Sequence, residues 1–437
     1  MTMYTFLPIT RMSVVRSIAF ALILVGGLAT PSNGISKALE LRKGDRIAIV
    51  GDSITEQKKY SRFMELYLLA CVPELELTMY QFGWGGERAS GFANRMENDM
   101  VPWQPTVVTT CYGMNDGCYL PYTAQIGSAY EEGSRRIQSR CKELGIRMVV
   151  GGPSPVDTQV WNKAVPDADL YYNDNLSQLS GIAKRLAAEN GFAYAGLHPL
   201  MMKVMQDAKV ARGVDYSVCG NHDGVHPDGN GHVVIAYAFL KAMGMDGNIG
   251  TITVDMRTGA ATATEGHRVL SAAKGTVEIE SARYPFCFYG SETDSSGTRS
   301  ILAFLPFNHD LNRYMLVVKN LSKRYADVTW GTETKTFSRG VLSVGINLAD
   351  EFVDNPFSEP FSRLERVVAD KQNRETRTIK GIITNIPGLV GDTPKDREIE
   401  DMAAELKQKL LERNAQDADR VRAAVKPVIH IIQIVPK

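Results

Sequence analysis

The 437-residue chain is short of several things. It has no net charge, 49 basic against 49 acidic side chains, and so lacks the basic excess that a dedicated nucleic-acid binder gathers on one face. It has only six cysteines, none in a Cys-x-x-Cys pair, which excludes a disulfide-stapled scaffold and argues against structural zinc. The sequence selects no pairing among Cys71, Cys111, Cys118, Cys141, Cys219 and Cys287. No Gly-x-Ser-x-Gly elbow occurs, and the stretch Gly388-Leu-Val-Gly-Asp-Thr-Pro-Lys395 departs from phosphate-loop spacing. Long repeats and low-complexity tracts are missing. Apart from the N-terminal segment, no apolar run approaches the about 20 residues that a membrane helix needs. What remains is a multi-domain globular protein of ordinary composition.

The first residues read as an address. Arg11 and Arg16 precede the apolar run Ile18-Ala-Phe-Ala-Leu-Ile-Leu-Val25, followed by Gly26, Gly27, Leu28 and Ala29. A positive segment, a short apolar core and a small-residue exit predict a signal peptide over 1–34, cleaved after Ala29 or a few residues later. The expected destination is secretion or the periplasm; an uncleaved anchor is the rival reading.

From residue 46 apolar runs alternate with amphipathic stretches. Strands are predicted at 46–50, 75–82, 106–112, 147–151 and 192–196, where β-branched and aromatic residues end on glycine or proline. Helices are predicted at 61–71, 87–100, 125–144, 173–190 and 230–243. Such alternation predicts an α/β unit over 35–250, a parallel sheet covered on both faces. Its site is expected at the carboxyl ends of the strands. From 251 to 437 the texture changes to a β-rich accessory region, with strands at 251–255, 275–280, 313–319, 326–330 and 341–345. A charged helix follows over 396–425, with Met402, Leu406 and Leu410 on one face, and a last strand over 428–435. That strand is expected to return to a sheet and to help cover the front half, so a chain ending near residue 250 should lose stability.

Four motifs mark the front half. Gly51-Asp52-Ser53-Ile54-Thr55 follows the first strand and aims a serine into the crevice. Gly83-Trp84-Gly85-Gly86-Glu87 follows the second, where glycines let backbone N–H groups come close to a bound oxygen. Gly113-Met114-Asn115-Asp116 follows the third and offers an amide donor. Asp223-Gly-Val-His226-Pro227-Asp228 precedes the helix at 230 and delivers a carboxylate and an imidazole on one loop. Each alone is a common turn or cap. In this order they supply a nucleophile, a base, an orienter and oxyanion donors, the parts of acyl transfer.

Residues 46–243 resemble the GDSL, or SGNH-hydrolase, family of esterases. The four signature residues of that family fall on Ser53, Gly86, Asn115 and His226, and its triad acid on Asp223. The second block departs from the family, which usually carries an asparagine there, so the glycine could be Gly85 or Gly86, with Gly86 the assignment made. The resemblance implies a flavodoxin-like three-layer α/β/α sandwich and a secreted serine esterase working through an acyl-enzyme without metal or cofactor. It implies Ser53, Asp223 and His226 as catalytic residues, and Ser53, Gly86 and Asn115 as the oxyanion hole. Residues 251–437 resemble no family.

Trp84, Tyr112, Tyr119, Tyr122 and Trp161 lie on or near the loops expected to rim the crevice, as stacking faces for sugar or as ordinary loop packing. Members of this family commonly deacetylate polysaccharides, so the expected substrate is an acetylated carbohydrate. A broad esterase or lipase acting on small or lipid esters is the alternative, and an inactive glycan-binding module is the non-enzymatic one. His222, His226 and His232 with Asp223 and Asp228 could also be read as a metal cluster, but their spacing fits no zinc signature.

Overall fold

Runs such as Arg46–Gly51, buried at every position after the first, have no polar face to offer water, so they belong in a sheet covered on both sides. The structure, a computed structural model, describes residues 38–161, 167–220, 223–391 and 397–437; the signal peptide expected over 1–34 falls outside them. Five strands, β1 (Arg46–Gly51), β2 (Thr78–Gln81), β3 (Val107–Cys111), β4 (Arg147–Gly151) and β5 (Ala193–Ala195), pair in parallel in the order β2-β1-β3-β4-β5. This is the flavodoxin-like order, with its topological switch between β1 and β3.

Among the described residues seven helices accompany them: α1 (Ser53–Glu56), α2 (Tyr60–Cys71), α3 (Ala89–Asp99), α4 (Ala124–Glu143), α5 (Ala168–Asn190), α6 (Leu197–Arg212) and α7 (Gly229–Ala242). The period-2 alternation of β1 sorts them. Ile47 and Ile49 face one core with α2, α6 and α7, whereas Ala48 and Val50 face a second core with α3, α4 and the middle of α5. The result is an α/β/α sandwich. The predicted elements are present with small boundary shifts; α6, over Leu197–Arg212, was not predicted.

The rest of the chain adds two sheets. One has the order β13-β10-β6-β7, with β6 (Asn248–Asp255), β7 (Ala261–Ala263), β10 (Arg313–Lys319) and β13 (Ile346–Asn347). The other is antiparallel throughout, β12-β11-β14-β9-β8, with β8 (His267–Ala273), β9 (Thr276–Ser281), β11 (Tyr325–Trp330), β12 (Glu333–Ser338) and β14 (Val428–Pro436). Helices α8 (Phe307–Leu311), α9 (Arg339–Val344), α10 (Leu348–Glu351), α11 (Ser358–Gly381), α12 (Ile386–Gly391) and α13 (Arg397–Ala424) complete it.

Three expectations change here. The run 341–345 is not a strand: the Ser338 hydroxyl caps the N–H of Val341 at 3.3 Å and starts α9. The closing strand β14 sits between β9 and β11 at the centre of the antiparallel sheet, not over the front half. On α13, Met402 and Leu406 are exposed and only Leu410 of the expected stripe packs inward; the buried face comes later, at Asn414, Asp417, Ala418 and Val421.

What does cover the front half is α11. Strand β2 is an edge of the parallel sheet, and an unpaired edge is a hazard. The buried Lys371 ammonium donates to the Met79 carbonyl at 2.5 Å, and the Gln81 N–H donates to the Glu375 carboxylate at 3.3 Å. Side chains of a helix thus satisfy the backbone of the edge strand. On the neighbouring face, Phe63 of α2 meets Phe286 edge-on at 6.0 Å, and the Tyr67 hydroxyl donates to the Leu311 carbonyl at 2.8 Å. Ser36–Lys437 is one compact unit.

Candidate active site

Three loops leave the carboxyl ends of β1, β2 and β3, on either side of the switch point, where open α/β sheets hold their ligands. The first is the shortest. Asp52 caps α1, its buried carboxyl accepting the Ile54 N–H at 3.0 Å, and this turn presents Ser53 as the first helical residue. The second loop, 82–88, leads into α3. The third, 112–116, is tied to it: the Asp116 carboxylate accepts the N–H groups of Ala89 and Gly113, each at 3.0 Å.

The loop before α7 brings the remaining groups. His226 Nε2 lies 2.8 Å from Ser53 Oγ, and His226 Nδ1 lies 2.7 Å from Asp223 Oδ2. A carboxylate only accepts, so Nδ1 carries the proton and Nε2 presents its lone pair to the serine. The other Asp223 oxygen accepts the N–H groups of Val225 and His226, at 2.8 and 2.9 Å, which fixes the carboxylate before the ring reaches it. Residues from opposite ends of the front half, 173 positions apart, share one cleft lined by Ser53, Glu56, Gln57, Asp223, His226, Pro227 and Asp228.

Besides Ser53, the predicted donors Gly86 and Asn115 lie on the two other loops. The N–H groups of Ser53 and Gly86 donate to nothing among the described residues. Gly86 is exposed, has φ of +74° and has open space where a side chain would stand, while a side chain on Gly85 would come within 2.6 Å of the Glu56 carboxylate. Asn115 donates one amide hydrogen to the Glu87 carbonyl at 3.1 Å, which orients the amide and leaves its second N–H.

The aromatic residues divide. Tyr112 is 2% exposed, its hydroxyl bonded to Glu87 at 2.6 Å; it is a core residue that steadies the second loop, not a wall of the cleft. Trp84 is half-buried, with the cations of Arg95 and Lys380 at 5.0 and 4.4 Å from its ring. Tyr122 packs against the second core and close to Gly127. Tyr119 and Trp161 come nearest to the expectation: Tyr119 stacks on Tyr172 at 4.9 Å, and Trp161 lies against Gly224, one residue past Asp223.

Several residues with work at the site went unassigned from sequence. Glu87 is gripped by Arg95 through both oxygens at 2.6 and 2.7 Å, anchoring the end of the second loop. The Tyr172 hydroxyl holds the Met114 carbonyl beside Asn115. Burial pushes the carboxyl of Asp52 up to about 7, with the charges of Asp116 and Glu87 adding to it, and burial likewise pushes Asp116 up to about 6. Asp52 and Asp116 stand inside the motifs, beside Ser53 and Asn115, and a polar residue next to a nucleophile in an apolar strand end was the available signal.

His232 is not free for a metal: its Nδ1 accepts the Tyr60 N–H at 3.3 Å and its Nε2 bonds Gln57 at 2.6 Å, and burial holds it neutral. His222 lies outside the described residues. All six cysteines are free thiols. Among the described residues no helix is long and apolar enough to cross a membrane.

Comparison with known proteins gives this geometry its setting. An acetylxylan esterase of Geobacillus stearothermophilus is 21% identical over 229 residues, 48% of this chain and 98% of that protein. A solved gut microbial diltiazem-metabolizing enzyme is 21% identical, covering 92% of this chain and all of its own, with a TM-score of 0.70. That likeness is one of fold, and it extends through the accessory region. The match to the family described as GDSL-like Lipase/Acylhydrolase spans residues 49–234, from the end of β1 into α7, so this part of the chain is similar to that family.

Proposed function

We propose that the protein is a secreted serine esterase that removes O-acetyl groups from carbohydrate through an acyl-enzyme, with 35–250 as its catalytic part and 251–437 as its support. The observation that carries this reading is the continuous chain Asp223–His226–Ser53, at 2.7 and 2.8 Å. A serine hydroxyl becomes a useful nucleophile only as a base takes its proton. His226 Nε2 accepts that proton while Ser53 Oγ bonds to the ester carbonyl carbon. Asp223 holds the tautomer and stabilises the imidazolium. The N–H groups of Ser53 and Gly86 and the Asn115 amide receive the negative oxygen. His226 then protonates the departing alcohol, and water repeats the sequence on the acyl-enzyme to release acetate.

The cleft lining supports a short acyl group. Apart from Pro227, its lining residues are polar or charged, and the large apolar side chains that would seat a fatty acyl tail are not among them. The same polarity suits a hydroxyl-rich alcohol half, with Tyr119 and Trp161 as stacking faces beside the Asp223 turn. The acetylxylan esterase similarity points the same way.

The test is a substrate series: p-nitrophenyl acetate, longer p-nitrophenyl esters, and acetylated xylan and pectin. The expected result is a steep fall in kcat/KM with acyl length, and acetate release from polymer. Preference for long chains would replace the reading with a lipase; glycan binding without turnover would replace it with a binding module. Within the same assay, Asn115→Ala should lower kcat about 10²–10³-fold with KM little changed, because its amide acts on charge that develops only in the transition state.

A further inference from the structure

The loop that carries Gly86 is held at its ends and bare in the middle. At one end the Trp84 N–H donates to the Gly51 carbonyl at 2.9 Å. At the other, Arg95 and Tyr112 fix Glu87. Between them Gly85 and Gly86 are exposed. Two side chains flank this bare segment: the Trp84 ring, and the Glu56 carboxylate that lies close against Gly85. Both meet the same cation. Lys380, on the last turn of α11, pairs with Glu56 and stands 4.4 Å from the centroid of the Trp84 ring. Lys380 and Glu56 are each 28% exposed, so the pair is screened less than a surface ion pair.

We propose that Lys380 is a positioning residue by which the accessory region sets the Gly86 N–H of the oxyanion hole. The inference rests on the reading that Gly86 supplies an oxyanion donor. It acts in two ways. Lys380 joins Glu56, at the end of α1, to Trp84 of the second loop, which fixes the distance between the Ser53 and Gly86 donors. It also pairs directly with a carboxylate that faces the loop, where negative charge opposes a developing oxyanion. Glu56 lines the cleft with Ser53, so the effect falls on the reacting end of the site. Residue 380 lies far past the matched segment 49–234, so the family motifs do not contain it.

The test compares Lys380→Met, Lys380→Arg and Lys380→Met with Glu56→Gln in the full chain. Lys380→Met is expected to lower kcat about 10–100-fold, the scale of a small misplacement, while KM and Tm stay near those of the parent. Lys380→Arg should restore most of the rate. Adding Glu56→Gln should restore part of it, because the negative charge is gone. Amide hydrogen exchange in 83–87 should quicken several-fold in Lys380→Met, with the strands of the parallel sheet unchanged. Unchanged kcat and exchange, or exchange that quickens equally across the sheet, would overturn the clamp. A parent protein without ester turnover, or Ser53→Ala with undiminished turnover, would overturn the esterase reading instead, and the exchange measurement would still decide the clamp.

Discussion

Replacing Ser53 by alanine should lower ester turnover about 10⁵–10⁶-fold while leaving the fold and Tm intact. The size follows from how the three groups depend on one another. Without the hydroxyl, His226 has no proton to accept and Asp223 has no imidazolium to stabilise, so His226→Ala should cost nearly as much and the double variant little more. Asp223→Asn should cost about 10⁴-fold for a different reason: an amide can present its N–H to Nδ1, which would leave the proton on Nε2 and turn the ring's lone pair away from the serine. The Asp223 oxygen that does not meet the ring accepts two N–H groups of its own turn, so part of the Asn effect should appear as a displaced ring. Turnover of p-nitrophenyl acetate, with the Ser53→Ala protein as background, measures all of these. Losses that add independently, or a Ser53 variant within tenfold of the parent, would remove the nucleophile from the mechanism.

The parallel half of the fold could be read from sequence because its elements are defined locally. Runs such as residues 47–51 and Val107–Cys111 are buried at every position, and the first three motifs stand at the ends of such runs, where strand polarity alone aims them at one rim. Ser53 and Asn115 were therefore visible at those ends, and His226 through its spacing from Asp223 just before α7. Their supports were not. Arg95, Tyr172 and Lys380 act through contacts that depend on helix rotation and on which distant element lands beside the loop, and no period in the sequence encodes that. Tyr112 misled for the opposite reason: it follows a strand end, but its ring turns into the second core. The error at 341–345 was one of competition, a serine cap outweighing two exposed valines. On α13 the apolar stripe was real, but Met402 and Leu406 on it stay exposed and a more polar face is buried further on.

The largest stability effect is expected at Lys371, fully buried between Glu65 and Glu375 at 2.8 Å from each. Gln372 donates to the second oxygen of Glu65 at 2.8 Å, and Ser61 donates to Gln372 at 2.8 Å, so the cluster locks α11 onto α2 and β2. Two buried carboxylates and one ammonium are tolerable only while the cation is present. Burial, with the nearby Glu65 charge, already pushes Glu375 up to about 7 against the pull of Lys371. Lys371→Met should cost about 3–5 kcal/mol at pH 8, because it strands both charges away from water. The sign of the pH effect follows. A carboxyl whose pKa is raised in the folded state stabilises below its unfolded pKa, near 4.5, and loses that contribution as pH rises through the folded value. Without the ammonium the Glu375 value loses the pull that lowers it and climbs further, so the variant should recover part of its deficit between pH 8 and pH 5. Adding Glu65→Gln and Glu375→Gln should recover it at every pH. Urea unfolding at the two pH values reads this directly, as a shift in midpoint at constant slope. A deficit under 1 kcal/mol, or one indifferent to pH, would mean that water reaches the cluster and that α11 is held by its apolar contacts alone. The same helix carries Lys380 nine residues on, so loss of the anchor should reach the cleft: near its unfolding midpoint Lys371→Met should lose turnover before the parallel sheet loses its slow-exchanging amides.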